Sequence, residues 1–136
     1  MLDDLIKRAQ EKAPVRVGLI GAGAMGVGIA WQVNRTPGMQ LVFIADIDVS
    51  AARNAASSTG LKVIDDNGLP DIRLSHESNE VFVSGDPLEL IGRCSEGFLD
   101  VVVEASNSIG SAARYCLKAI DKGIHVVLMN AEVDLA

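Results

Sequence analysis

The amino-acid sequence predicts an α/β fold, a doubly wound parallel sheet of about five to six strands with an N-terminal helix. Short runs rich in Val and Ile alternate with helical segments along the 136 residues, as expected for successive βαβ units. Some runs, such as Val101–Val103, are apolar throughout, which is typical of strands that helices cover on both faces. A glycine-rich segment between the first strand and the next helix is the third indication of this fold.

The first predicted element is a helix over residues 1–12. Leu2, Leu5 and Ile6 fall on one face of it, and Pro14 ends it. This apolar face needs a cover, and we expect the chain's own sheet to supply it, or otherwise a second chain.

Two strand–helix units follow. Apolar runs bounded by Pro or Gly predict the strands, and apolar residues three or four positions apart predict the helices. In chain order they are a strand over 15–20, a helix over 24–35, a strand over 40–45 and a helix from Val49 or Ser50 to 59, which Gly60 ends.

The second half begins with an insertion over 61–79 that is rich in turn residues and contains a short strand over 61–64. The elements predicted after it are a strand over 81–84, a short helix from Pro87 to 94 that Asp86 caps, a strand over 100–104, a helix over 108–122 and a strand over 125–129.

The composition disfavours several classes of protein. A formal net charge of −6 argues against binding to nucleic acid or to an anionic membrane. No apolar run approaches the roughly 18–20 residues that span a bilayer, and the N-terminal segment lacks the apolar core of a signal peptide. Two cysteines and two histidines suit neither a disulfide scaffold nor a metal cluster. We therefore expect a cytoplasmic globular protein without a metal.

The most informative motif is G-x-G-x-x-G, formed by Gly21, Gly23 and Gly26 directly after the first strand. Asp46 ends the next strand, about 20 residues after the third glycine. Together these features are the fingerprint of a Rossmann-type dinucleotide-binding domain. Gly21 allows the tight turn, Gly23 lets the backbone approach a pyrophosphate, and Gly26 lets the helix pack closely on the strand. The alternative is that the glycines serve only the turn and the packing.

The start of the helix completes the predicted phosphate site. Ala24 and Met25 lie in its first turn, where free N–H groups and the helix dipole face the phosphate charge. Gly28, further along, is expected to be a packing residue.

Loops after the later strands supply further candidate cofactor contacts. Ala105, Ser106 and Asn107 follow the strand over 100–104, and Asn130 follows the last strand. Ser106 and Asn107 are expected to line the path from pyrophosphate to nicotinamide, or to cap the following helix. Glu104 is an acid–base candidate by position only, and a structural role is the alternative.

The charge at Asp46 bears on whether the cofactor is NAD or NADP. A carboxylate that accepts hydrogen bonds from the ribose hydroxyls repels a 2′-phosphate, so Asp46 favours NAD. Arg53, near the start of the next helix, is the candidate that could bind a phosphate instead, and a solvated helix residue is its alternative role. Ser84–Asp86, after the strand over 81–84, is expected to flank the adenine.

Four segments resemble the N-terminal domain of the homoserine-dehydrogenase-like oxidoreductases, in particular the branch that carries a SAF domain and includes an enzyme similar in activity to 1-deoxy-D-xylulose 5-phosphate reductoisomerase. These segments are VGLIGAGAMG (17–26), FIADID (43–48), DVVVEASNS (100–108) and KGIHVVLMNAEVD (122–134). The resemblance implies a cytoplasmic, often dimeric NAD(P)-dependent enzyme that transfers hydride to or from a small hydroxy or carbonyl metabolite. Homoserine dehydrogenases have Ala-Asn-Lys where this chain has Met129-Asn130-Ala131, and the missing lysine argues against homoserine itself.

We expect residues 1–13 to form the N-terminal helix and 14–136 the dinucleotide-binding domain of a longer enzyme, with its substrate domain and catalytic residues past Ala136. Two other classes remain open at this point. One is a stand-alone nucleotide-sensing module like those of potassium-transport regulators, and the other is a Rossmann domain that binds only a protein partner. A homo-oligomer is expected through the N-terminal helix or the edge of the last strand.

Overall fold

The computed structural model describes residues 1–65, 79–94 and 97–129, without the side chain of Ile109. The helices are α1 (Leu2–Gln10), α2 (Ala24–Arg35), α3 (Val49–Ser58), α4 (Pro87–Gly92) and α5 (Ile109–Asp121), and the strands are β1 (Val15–Ile20), β2 (Met39–Ala45), β3 (Lys62–Asp65), β4 (Glu80–Ser84), β5 (Val101–Glu104) and β6 (His125–Leu128). No predicted bound differs from the observed one by more than two residues.

The six strands form one sheet in the order β3-β4-β2-β1-β5-β6, and every pair is parallel. The chain moves from β1 to β2 on one side and returns to β5 on the other side of β1. Strand order therefore reverses at β1, and the crevice at such a switch point is where ligands bind in open α/β sheets. The predicted doubly wound fold is confirmed.

Two apolar clusters cover the two faces of the sheet. One includes Phe43 and Leu90 and packs under α4 and α5, and the other includes Leu41 and Ala52 and packs under α2 and α3. The register of β1 against β2 shifts between Val17 and Gly18, where the ring of Phe43 occupies the space that a Cβ of Gly18 would need.

The shift brings the carboxyl ends of β1 and β2 level. Ile20 pairs with Ala45, and the N–H of Gly21 donates to the carbonyl oxygen of Ala45 at 2.8 Å. The glycine loop thus begins at the same edge at which β2 delivers Asp46.

Two expectations need correction. The short strand predicted within the insertion starts one residue later and is the edge strand β3, which pairs with β4; residues 66–78 lie outside the described residues. The sheet does not cover α1, since none of its residues is buried and Leu2 and Ile6 are 61% and 39% exposed. The α1 backbone instead touches the β1–β2 region at Gly38, where a Cβ would overlap the carbonyl oxygen of Leu5. Within the described ranges, no helix combines the length and apolar character needed to cross a membrane.

Candidate functional site

The carboxyl ends of β1, β2 and β5 open on a cavity of about 310 Å³ at the switch point of the sheet. Its lining combines the glycine loop, the end of β2 and the loop between β5 and α5. The lining residues are Ile20, Gly21, Gly23, Asp46, Ile47, Pro87, Ala105, Ser106, Asn107, Ser108 and Tyr115. Six of the ten predicted cofactor-binding residues are among them, which shows that the fold brings these separate segments together.

Gly21 is required by both conformation and space. Its φ is +102°, a region that L side chains rarely adopt. A Cβ at this position would lie 2.6 Å from the carbonyl carbon of Ala105 and 2.7 Å from the nitrogen of Ser106. The turn after β1 therefore packs directly on the backbone of the loop after β5.

Gly26 is buried, and a Cβ there would overlap the carbonyl oxygen of Gly21. Helix α2 consequently starts in contact with the turn after β1, as the sequence predicts for the third glycine. Gly26 does not line the cavity, and its inclusion among the cofactor contacts stays a prediction.

Gly23 differs from both, because its φ is −73° and nothing lies within 4 Å of the position of its missing Cβ. It is the N-cap residue of α2 and lines the cavity, and because glycine has no side chain it does not cap the helix N-terminus. The first turn of α2 contains no acidic residue and presents unpaired N–H groups, which is the ordinary setting for a bound anion. Ala24 and Met25 lie in this exposed turn and outside the cavity lining.

Asp46 is held by two backbone N–H groups. Its Oδ2 accepts from Ala22 of the glycine loop, and its Oδ1 accepts from Asp48 at the start of α3, both at 2.8 Å. A carboxylate has about four acceptor positions, so about two remain for a ligand. The arrangement fixes the carboxylate at the cavity and leaves it able to accept hydrogen bonds from a diol.

The β5–α5 loop is tied to the sheet at two points. The N–H of Ala105 donates to the carbonyl oxygen of Ile20 at 2.7 Å, and the N–H of Ser106 donates to Oε1 of Glu104 at 2.7 Å. Ser108 is the N-cap residue of α5 and makes no side-chain capping bond. Capping by side chains is therefore not what orders this loop.

Glu104 is fully buried at the end of β5 and does not line the cavity. Burial raises the pKa of its carboxyl group, hydrogen bonds from Ser106 oppose that rise, and the charge of Asp46 adds to it. Burial, together with Glu104, also raises the pKa of the Cys116 thiol to about 11. Glu104 thus holds the loop by accepting the hydrogen bond from Ser106, and its burial favours this structural role over an acid–base role.

Pro87, Ile47 and Tyr115 line the cavity, although the sequence did not indicate them as contacts. Tyr115 is the single tyrosine of the chain and precedes Cys116 on the buried face of α5. The buried face of α5 carries Ala112, Tyr115, Cys116 and Ala119, whereas Ile120 is 52% exposed, so the apolar spacing in the sequence did not indicate that Tyr115 meets the loop after β5. Asn130, the remaining predicted contact, lies outside the described residues.

A second cavity of about 320 Å³ adjoins the first on the side of β4 and β3. It is lined by Val49, Arg53, Asp65, Val83, Ser84, Gly85 and Asp86. Arg53 bonds through Nη2 to Oδ1 of Asp65 at 2.5 Å, and its side chain is 46% exposed, so it is a solvent-exposed helix residue that is also held in an ion pair. Among the described residues, no group of three or more His, Cys, Asp or Glu side chains is arranged to hold a metal ion.

The chain matches no protein-family model and no curated protein. Its fold is similar to part of the myo-inositol dehydrogenase from Lactobacillus casei, solved with NAD(H) and myo-inositol, at 24% identity over 85% of the chain with a TM-score of 0.58. It is also similar to part of an oxidoreductase from Agrobacterium radiobacter, solved with NAD+, L-tartaric acid and magnesium, at 17% identity over 88% of the chain with a TM-score of 0.59. The chain spans 28% of the length of each of these proteins. These likenesses show the Rossmann-type fold.

Proposed function

We propose that the chain is the NAD(P)-binding domain of an oxidoreductase. The observation that carries the proposal is the open position at Gly23, where the N-terminus of α2 meets a cavity that also contains the fixed carboxylate of Asp46. A pyrophosphate suits the first element and a ribose diol suits the second. The two solved structures described above are complexes with NAD, which supports the same ligand here.

The residues of this chain would bind and orient the cofactor. The N–H groups of the first turn of α2 would receive the pyrophosphate, and Asp46 would accept hydrogen bonds from the adenosine ribose. The loop over 105–108 would border the path toward the nicotinamide. When bound, the nicotinamide supplies the hydride transfer. Within the described residues, no side chain lining the cavity forms a nucleophile–base pair.

The carboxylate of Asp46 favours NAD over NADP, because a 2′-phosphate would bring like charge beside it. The resemblance of segments 17–26, 43–48 and 100–108 to homoserine-dehydrogenase-like enzymes supports a small hydroxy or carbonyl metabolite as the substrate of the full-length protein. The chain spans 28% of the length of each solved protein, so we propose this substrate class and reaction for the whole protein and not for the chain alone.

Calorimetry of the chain with NAD+, NADH, NADP+ and NADPH tests the proposal. We expect binding with preference for NAD, and no steady turnover of homoserine. Gly23→Val should abolish detectable binding while the fold persists, since its side chain would enter the space between helix and pyrophosphate.

Gly28→Val is the matched control, because Gly28 lies on the same helix, is exposed and has nothing within 4 Å of its missing Cβ. Equal affinities of the two variants, or no binding by the unaltered chain, would contradict the proposed function.

A further inference from the structure

We propose that Asp65 is a specificity-determining residue that keeps the adenosine end of the site selective for NAD over NADP. It does so by holding Arg53, the one cation among the described residues that line the second cavity, in an ion pair. The inference rests on the proposed function.

Backbone contacts connect Asp46, which lines the first cavity, to Ser84 and Gly85, which line the second. The N–H of Asp46 donates to the carbonyl oxygen of Ser84 at 3.1 Å. A Cβ on Gly85 would lie 3.4 Å from Cβ of Val49 and 3.9 Å from the carbonyl oxygen of Asp46. The 2′-phosphate of NADP is attached to the ribose that Asp46 is proposed to bind, so it must be accommodated near this boundary.

The charges around the second cavity disfavour that phosphate. Of the part of the chain that the structure describes, the carboxylates of Asp65 and Asp86 line the cavity, and the side chain of Asp86 caps α4 by accepting from the N–H of Glu89 at 3.2 Å. Arg53 is the side chain that could bind a phosphate with two parallel hydrogen bonds. Its guanidinium is instead engaged by Asp65, so a phosphate would meet an added negative charge and a neutralised cation.

The position of Asp65 follows from the sheet. It is the last residue of β3 and pairs with Val83 of β4, so it reaches the same carboxyl edge as Asp46. Arg53 lies one turn into α3, which begins at Val49, three residues after Asp46. The edge strand therefore brings the carboxylate of Asp65 against Arg53 at the second cavity.

Asp65→Asn tests the role directly, because the side chain is 67% exposed and its replacement leaves the core intact. We expect the affinity for NADP+ to rise about fivefold at low salt, the affinity for NAD+ to change less than about twofold, and the gain to shrink in high salt. Adding Arg53→Gln to this variant should cancel the gain.

Glu89→Gln is the matched control, since it also removes one carboxylate from an ion pair, here with Arg93 at 3.1 Å on α4. It should leave the ratio of NADP+ to NAD+ affinity unchanged. If Asp65→Asn leaves the ratio as it is, if the control changes it equally, or if the gain survives Arg53→Gln, the inference is overturned while the proposed function stands. If the unaltered chain binds neither dinucleotide, the proposed function fails and the inference falls with it.

Discussion

The amino and carboxyl edges of the sheet differ in the size of their cavities and in the structure around them. The amino edge has a cavity of about 840 Å³, lined in part by Lys12, Arg16 and Phe98, and the carboxyl edge has one of about 310 Å³. The larger cavity lies beside α1, a helix that has no buried residue. Beside the smaller one, the turn after β1 packs so closely on neighbouring backbone that a Cβ has no room at Gly21 or Gly26.

Under the proposed function the ligand binds at the smaller of these two cavities, so cavity volume does not identify the site. Because all strands are parallel, the strand-to-helix loops place helix N-termini at the carboxyl edge, and their partial positive charge favours an anionic ligand there. At the amino edge the guanidinium of Arg16 is already engaged, since it lies 5.1 Å from the ring centre of Phe98, and the backbone N–H of the same residue donates to Oδ2 of Asp100.

The contrast is tested most strongly by two glycines of α2. Gly26→Ala should destabilise the chain by about 1–3 kcal/mol and abolish dinucleotide binding, because the new methyl group must displace the backbone of Gly21. Gly28→Ala should instead stabilise it by about 0.5–1 kcal/mol with unchanged affinity. Urea unfolding and calorimetry measure both. Similar unfolding curves for the two variants would show that the glycine loop is not tightly packed.

Cofactor preference tests the carboxylate of the smaller cavity. Asp46→Ser should narrow or invert the preference for NAD, because it removes the charge that repels a 2′-phosphate. Unit charges 4 Å apart interact by about 4 kcal/mol at an effective dielectric of about 20. A residual of about 1.4 kcal/mol already corresponds to a tenfold change in the ratio of affinities. Tenfold tighter binding of NADPH than NADH by the unaltered chain would mean that Asp46 does not face the ribose.

The buried support of the smaller cavity predicts a dependence of stability on pH. The folded pKa of Glu104 is raised above its ordinary value of 4.5, so the stability from its bound proton is present below pH 4.5 and is lost as pH rises through the folded pKa. Glu104→Gln lacks this loss and should gain stability relative to the unaltered chain as pH rises from 4.5. Urea unfolding across this range measures it, with the exposed Glu89→Gln as the control. Parallel pH profiles for Glu104→Gln and the unaltered chain would contradict the direction of the pKa shift.

The smallest effect is expected at the amino edge. Deletion of residues 1–12 should lower the free energy of unfolding by less than about 1 kcal/mol, which is a few degrees in Tm for a domain of this size. Dinucleotide affinity should not change, because α1 lies away from the carboxyl edge. Light scattering of the same variant tests whether α1 mediates the predicted homo-oligomer. A large fall in Tm without any change in assembly would show that α1 is packed on its own chain.

The amino-acid sequence by itself determined the order of elements and most of the candidate site for the phosphate. The G-x-G-x-x-G motif and Asp46 depend on short-range geometry, since a turn between a strand and a helix and the end of the next strand are both readable from local pattern. The roles of Gly21 and Gly26 followed from the same argument. The cap of α3 by Asp48 was equally local, and its side chain accepts from the N–H groups of Ser50 and Ala51.

Only the tertiary structure decided the contacts between segments far apart in the chain. Gly28 was expected to pack, yet it is exposed, because the face of α2 that meets the sheet carries Gly26, Ala30 and Val33 and residues two positions apart do not share a helix face. Tyr115 lines the cavity because α5 packs on β5, and Asp65 meets Arg53 because β3 joins the sheet at its edge. Periodicity in the sequence indicates which residues are apolar. Strand order, register and the face that each helix packs on the sheet determine which of those residues contact one another.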